Sequence, residues 1–446
     1  MLNTLNQKII FNSVNMFDFY TNPLAFRLAD NELALLERSQ YANSDFFEKV
    51  QTRKLARILR SASNIPYWQE RYDMSSLLLE GATPSKMLAD FPLLTRQDLR
   101  SHGPAKFINS RLPQKRLYRA YTSGSTGEPL TLLLDASVIP GRIARFKRMA
   151  RWFNVGDVTF VRCMPRTPLG FAGFASFPPY KKDLDENFLK DLYSYIAGMR
   201  RPVIVDMFPS HIERLAHLTT ALNIEPPPII GFVSGGEQAL QHTRDVVREV
   251  FSCDMRSYYG ATEFEVIGQD CGVDEQRSYH INAEYFYVEV VDDGGRRVPD
   301  GTMGRVLITS LEHEVFPFIR YEIGDMGHFV ASPCPCGRTL PRLIIEGRSA
   351  HLITLPNGRV LSYFDFRRPI VMMRGVRQFQ ISHDAPDRFT VKITPVPAGI
   401  TAENVSNLHE QYASYLGADI VVTLEIVNEI ESAKNGKRVE FIRRWD

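Results

Sequence analysis

The chain has 446 residues, of which 44% are hydrophobic and 23% charged, and its formal net charge is +2. That length exceeds what one hydrophobic core usually serves, so a large body plus a smaller unit is expected. The near-neutral balance excludes a disordered chain and a polyanion-binding domain, and nucleic acid is not an expected partner.

In chain order, the stretch "MLNTLNQKIIFNSVNMFDFY" has neither a basic n-region nor an unbroken apolar run, and no segment approaches the ~18 apolar residues of a membrane span. A cytoplasmic protein without a membrane partner is expected. Residues 45 to 63 read as a helix, with Asp45 and Glu48 as a capping box and Phe47, Val50, Leu55, Ile58, Leu59 and Ala62 on one face. "KRLYRAY" and "PLTLLLD" are β-prone, so the Gly-rich stretch "TSGSTGE" between them joins two antiparallel strands and does not open a helix. The basic run Arg142 to Arg151 reads as one solvated helix face.

From 203 to 259 the apolar period switches repeatedly. Val203–Met207, Ile229–Val233 and Met255–Tyr259 are strand-like, while Ser210–Leu222 and Gln241–Phe251 are helical, the pattern of βαβ units and a parallel sheet. Beyond 283, "YFYVEVVD", the turn-rich "DDGGRRVPDG" and "RVLITSL" read as an antiparallel meander. After "EGRSAHLI" about a hundred residues of short strands and one helix, Ala402 to Leu416, suggest a small unit. The expected fold class is α/β: a large N-terminal domain, 1–347, of mostly parallel sheets flanked by helices plus an antiparallel region, then a small, mobile α+β lid, 348–446.

The chemistry-bearing motifs lie on these elements. Thr122, Ser123, Gly124, Ser125, Thr126 and Gly127 supply turn amides and hydroxyls that suit phosphate, but no lysine stands among them, so this is not a mononucleotide P-loop. "YYGATEF" puts an aromatic ring, a hydroxyl and a carboxylate at a strand end: Tyr259 to stack on a base, Thr262 to meet phosphate, Glu263 to reach a hard cation. In "VSGGEQ" the paired glycines let a ring approach the backbone.

"YTSGSTGEP", "SGGE", "YYGATE", "FIRYEIGD", "EGRS" and "NGK", in this order, resemble the adenylate-forming (ANL) superfamily, and "CPCGRTLPRL" resembles its phenylacetate-CoA ligase-like branch. The resemblance covers roughly residues 45 to 446. It implies an enzyme that couples a carboxylic acid to ATP, forming an acyl-adenylate and pyrophosphate, and then transfers the acyl group, by default to CoA. An amine or a carrier-protein thiol is the alternative acceptor, and a homodimer is the assembly to test.

By that resemblance the loop Thr122 to Gly127 would cover the β- and γ-phosphates, and Gly235, Gly236, Glu237, Tyr258, Tyr259, Gly260 and Ala261 would form the adenine side. Thr262 and Glu263 would serve phosphate and Mg²⁺, and Asp325 would bind the ribose hydroxyls, with Arg320 and Arg348 near in sequence to balance its charge. The missing cation would be Lys437 of "AKNGKRVEF", carried on the lid so that it can be withdrawn after adenylation. Cys271, His280, Cys334 and Cys336 would hold a structural Zn²⁺; three thiolates and an imidazole suit a closed tetrahedral site, although C-x-C is tighter than the usual spacing.

Two departures matter. The interdomain joint reads Gly347-Arg348-Ser349-Ala350-His351, without the hinge aspartates that relatives commonly carry, which bears on thiol transfer and not on adenylation. The acid pocket, expected between Phe160 and Phe177 and around Gly231 to Gly235, is rich in Phe, Pro and Gly and has no carboxylate for an amino group. An aromatic or otherwise apolar acid is therefore expected.

Overall fold

The computed structural model describes residues 23–77, 81–113, 117–121, 130–156, 158–163, 174–176, 184–237, 239–274, 276–348, 352–373, 375–396, 399–417, 419–431 and 439–445. The chain divides into two units: one of Met1–Arg162, Arg166–Phe177 and Arg256–Ile345, the other of Cys163–Pro165, Pro178–Met255 and Glu346–Asp446.

In the first unit the helix Ser44–Ala62 turns Phe47, Leu55, Ile58 and Leu59 inward, each such burial contributing roughly 1.5–3 kcal/mol. Its N-cap is Asn43, whose side chain accepts from the Phe46 N–H, and not Asp45, because Asn43 has the extended backbone that a cap requires. The strands Leu117–Tyr121 and Thr131–Asp135 pair antiparallel, as the β-prone flanks of the Gly-rich stretch imply.

The basic helix departs from expectation. In Ile139–Arg151 the side chains of Arg142, Arg145 and Arg148 are at most 2% exposed, so the face they share, at a spacing of three, points into the unit and not to solvent. Each charge is met there. Arg145 grips Glu312 with two hydrogen bonds of 3.0 Å, Arg148 pairs with Glu284 at 2.9 Å, and Arg142 donates to the Glu263 carbonyl at 2.6 Å. A guanidinium carries enough planar donors to be satisfied at such sites, which is why burial is tolerated.

The meander follows as read: Phe286–Val291, Gly304–Ser310 and Tyr321–Val330 are consecutive antiparallel neighbours, with Val288 opposite Ile308. Beyond them the order runs through Arg342–Arg348, Tyr279–Ile281 and Glu265–Gln269 to Asp254–Ala261. This run of strands sets the candidate site, since it carries both the Tyr258–Phe264 segment and Asp325.

In the second unit Val203–Asp206 and Ile229–Gly235 pair in parallel, the βαβ arrangement read from the alternating period, with the helices Pro209–Ala221 and Gln241–Phe251 packed together. A separate four-stranded sheet has the order Val421–Ile426, Arg388–Pro395, Val376–Ala385, Phe441–Arg443. Its centre is antiparallel and its outer pairs are parallel. The helices Tyr363–Met372 and Ala402–Leu416 cover it: the Phe366 ring lies 4.6 Å from Phe389 and 4.8 Å from Tyr412. Thr401 and Asn404 cap the second of these helices reciprocally. Among the described residues no helix is long and apolar enough to cross a membrane.

Candidate active site

The site grows from a hairpin that is too tight for an ordinary residue. Tyr259 pairs with Gly268, the register then shifts, and Gly260 and Ala261 pair with Val266 and Glu265. The chain reverses over Thr262, Glu263 and Phe264, and the Phe264 N–H donates to the Ala261 carbonyl at 3.0 Å. A Cβ at Gly260 would stand 2.0 Å from the Glu265 carbonyl oxygen, so the corner requires glycine there. Phe264 anchors it, fully buried with its ring 5.1 Å from Phe318. Thr262 is left exposed.

Two tyrosine–carboxylate pairs meet at this corner. The Tyr259 hydroxyl donates to Asp325 Oδ2 at 2.8 Å, and the Tyr321 hydroxyl donates to Glu263 Oε1 at 2.9 Å. All four side chains are at most 8% exposed. Among the described residues nothing bonds the second oxygen of Glu263, so that oxygen keeps its full capacity as an acceptor or hard-cation ligand. The Tyr259 ring leans on Tyr279 at 5.9 Å, while Tyr258 packs against Phe146.

The cation here is Arg96, which sequence reasoning missed. Its Nη2 lies 3.9 Å from Glu263 Oε1. Burial works against its charge, but Tyr321, Glu263 and Asp325 outweigh that and hold the guanidinium above its ordinary range. Leu94 explains the placement: its N–H donates to the Arg320 carbonyl and its own carbonyl accepts from Glu322, so it lies beside Tyr321 and delivers Arg96 two residues on. The only sequence signal was the Thr95–Asp98 capping box that starts the helix Arg96–His102. Arg320 does not balance Asp325, because its guanidinium is taken by Glu289 at 3.2 Å and by the carbonyls of Phe91 and Gly295.

In the second unit Gly235 ends its strand, Gly236 has φ +80°, and Glu237 accepts from the Ser210 hydroxyl at 2.9 Å. The loop Thr122 to Gly127, Lys437, the Arg348 side chain, Ser349, Ala350 and His351 lie outside the described residues, as does much of the expected acid-pocket segment.

Cys271, His280, Cys334 and Cys336 converge, with their ligand atoms all within 4.8 Å of one another, and together could hold a metal ion. Cys271 follows the strand Glu265–Gln269, His280 sits in Tyr279–Ile281, and the two other cysteines lie on the turn after Tyr321–Val330. His280 presents Nε2 to Cys336 Sγ at 3.5 Å, and Cys271 and Cys334 are 3.6 Å apart. Cys271 and His280 hold the Cys336 thiol well below its usual range. Arg256 braces the cluster from behind, donating to the carbonyls of Cys271 and Trp152.

No family model matches the chain. The phenylacetate-coenzyme A ligase of Thermus thermophilus is 25% identical over 324 residues, covering 69% of this chain and 71% of the relative. That of Aromatoleum evansii is 24% identical over 340 residues, covering 72% and 74%. Among solved structures, a 2-hydroxyisobutyryl-CoA ligase in the postadenylation state, in complex with R3-HIB-AMP, superposes with a TM-score of 0.71 over 91% of each chain at 18% identity. Motif order, curated relatives and fold therefore agree: this chain has the adenylate-forming fold, and in sequence it resembles the phenylacetate-CoA ligase-like branch of the ANL superfamily.

Proposed function

We propose that the chain is an AMP-forming carboxylic acid ligase, which activates an aromatic or apolar acid with ATP to the acyl-adenylate and then passes the acyl group to CoA. The observation that carries this is the corner where Glu263 and Asp325, oriented by Tyr321 and Tyr259, lie beside Arg96 in a fold shared with CoA ligases.

In-line attack of a carboxylate on the α-phosphate brings two anions together and builds charge on the phosphorus oxygens. Asp325 would accept both ribose hydroxyls, leaving its bond from Tyr259 to fix the carboxylate plane. Thr262 would donate to phosphate. Glu263, held through one oxygen by Tyr321, would offer the other to Mg²⁺, which when bound neutralises phosphate charge. Gly235, Gly236 and Glu237 would border the adenine, Thr122 to Gly127 would cover the outer phosphates, and Lys437, on a lid of residues 348–446, would supply the second cation.

The sulfur cluster would hold structural Zn²⁺. Bonds of about 2.3 Å to sulfur and about 2.0 Å to nitrogen set donor–donor edges of roughly 3.5–3.8 Å in a tetrahedron. The separations of 3.6 Å between Cys271 and Cys334 and 3.5 Å between Cys336 and His280 fit such an ion. Four protein donors leave it no open position, so its work is to tie the strand after Glu263 to the meander. Metal analysis of protein purified without chelator should give one zinc per chain; a substoichiometric value would refute this.

The function is tested by acid-dependent ATP–pyrophosphate exchange over a broad panel of acids. Exchange with aryl or fatty acids that is lost in Lys437→Ala is expected. No exchange with any acid, or wild-type exchange in that variant, would overturn the reading. The joint that reads Ala350-His351 favours a second acceptor class. Product masses with CoA, an amine or a carrier protein decide between them.

A further inference from the structure

We infer that Glu265 is a positioning residue for the Thr262–Glu263 corner, acting through Arg142 and Arg162; the inference rests on the reading of Glu263 as the metal-side carboxylate. Glu265 stands in the left-handed region, φ +59°, where side-chain-bearing residues are uncommon and glycine or asparagine would sit with less strain. What a glutamate offers there is its carboxylate. Oε1 lies 3.7 Å from Arg142 Nη1, and Oε2 lies 3.7 Å from Arg162 Nη2, so each oxygen faces its own guanidinium.

Arg142 connects this pair to the reacting side of the corner. It is 2% exposed, and its Nη2 donates to the main-chain oxygen of Glu263 at 2.6 Å, while Nη1 also reaches the Tyr118 hydroxyl at 3.3 Å. A single guanidinium thus hydrogen-bonds the backbone of Glu263 and forms an ion pair with the carboxylate of Glu265, two residues apart. Arg162 is itself steadied against the Phe146 ring at 4.9 Å. From the other direction Tyr321 fixes the Glu263 side chain. Backbone and carboxylate of Glu263 are therefore held by separate groups, and the first of these clamps depends on Glu265 balancing the buried charge of Arg142.

The test uses the full chain and needs no acid substrate. Binding of a non-hydrolysable ATP analogue is measured calorimetrically with and without Mg²⁺ for the wild type, Glu265→Gly, Glu265→Gln and Glu263→Gln. Glu265→Gly relieves the backbone conformation but leaves the buried Arg142 charge unbalanced, so a merely structural role predicts a change in thermal stability with an unchanged metal response. A positioning role predicts that the gain in affinity on adding Mg²⁺ shrinks about tenfold, equivalent to about 1.4 kcal/mol, in both Glu265 variants, with metal-free binding unchanged. Glu265→Gln preserves side-chain size and carries the test if the glycine variant does not fold. A wild-type metal response in the Glu265 variants, with that response lost in Glu263→Gln, overturns the inference and leaves the function standing. A wild-type response in Glu263→Gln overturns the assignment of Glu263 and the inference with it.

Discussion

Replacing Gly260 by alanine should cost far more than one methyl group usually does. The new Cβ would lie 2.0 Å from the Glu265 carbonyl oxygen and 3.1 Å from its carbon, both main-chain atoms with no rotamer to yield, and 3.5 Å from the Tyr258 ring. Ordinary contact begins near 3.4 Å, so the hairpin must open by more than 1 Å across the pairs 260–266 and 261–265. Overpacking of this kind costs about 1–3 kcal/mol. The chemical cost is separate and of comparable size, because a 1 Å misplacement of a positioning group lowers rates by about 100-fold, or about 2.7 kcal/mol, and this opening moves Thr262 and Glu263 directly. Gly260→Ala is expected to fold, to lose a few degrees of melting temperature, and to lose about two orders of magnitude in acid-dependent ATP–pyrophosphate exchange. Scanning calorimetry and the exchange assay read the two effects separately. Exchange within about threefold of wild type would refute the reasoning that the corner's geometry serves the chemistry.

Three further outcomes follow from other contacts. Arg145→Met removes the partner of Glu312, which is 9% exposed, and should destabilise by about 3–5 kcal/mol; pairing it with Glu312→Gln should recover much of the loss in urea titrations, and no recovery would deny that the unpaired carboxylate is the cause. Tyr259→Phe deletes the 2.8 Å bond that orients Asp325 and should cost roughly 1.5–3 kcal/mol of stability, while raising the KM for ATP and leaving the KM for the acid unchanged. An unchanged KM for ATP would separate Asp325 from nucleotide binding. Burial, with Arg142 and Arg145 nearby, holds the His313 imidazole well below its ordinary 6.5, so the folded chain keeps it neutral while the unfolded chain protonates as pH falls through about 6.5. Its contribution to stability is full above that pH and is lost below it at up to about 1.4 kcal/mol per pH unit, and His313→Phe should flatten the acid limb of the stability profile by about one proton.

The sequence made visible those features that local chemistry dictates. The helix Gln241–Phe251 and the helix Ala402–Leu416 have the bounds that their periodicity predicts, because each carries its apolar face within its own residues. The hairpin flanks 117–121 and 131–135 were legible for the same reason. The Cys/His cluster could be read once its four residues were set together by resemblance, since their chemistry is distinctive even at separations of two to 65 residues along the chain.

What escaped was every feature whose meaning lies in a distant partner. Arg142, Arg145 and Arg148 have the composition and spacing of a solvated face, and nothing local distinguishes that face from one matched by Glu263, Glu284 and Glu312, which stand more than a hundred residues later. Arg96 was hidden likewise, because only the pairing of Leu94 alongside Tyr321 brings it to Glu263. Arg320, near Asp325 in sequence, is spent on Glu289 instead. Sequence proximity thus misassigned one counter-charge and concealed the real one. The motifs pointed to Glu263 and Asp325 because a tight, glycine-bearing turn is a local signature, and the structure brings these two carboxylates to one buried corner with Tyr321 and Tyr259. The cations that hold those carboxylates in place obey no such local rule, since a guanidinium reaches its partner from any element that can point at it. For this fold, the arginines of the helix Ile139–Arg151 are accordingly where substitutions far from the motifs should alter activity without touching a ligand.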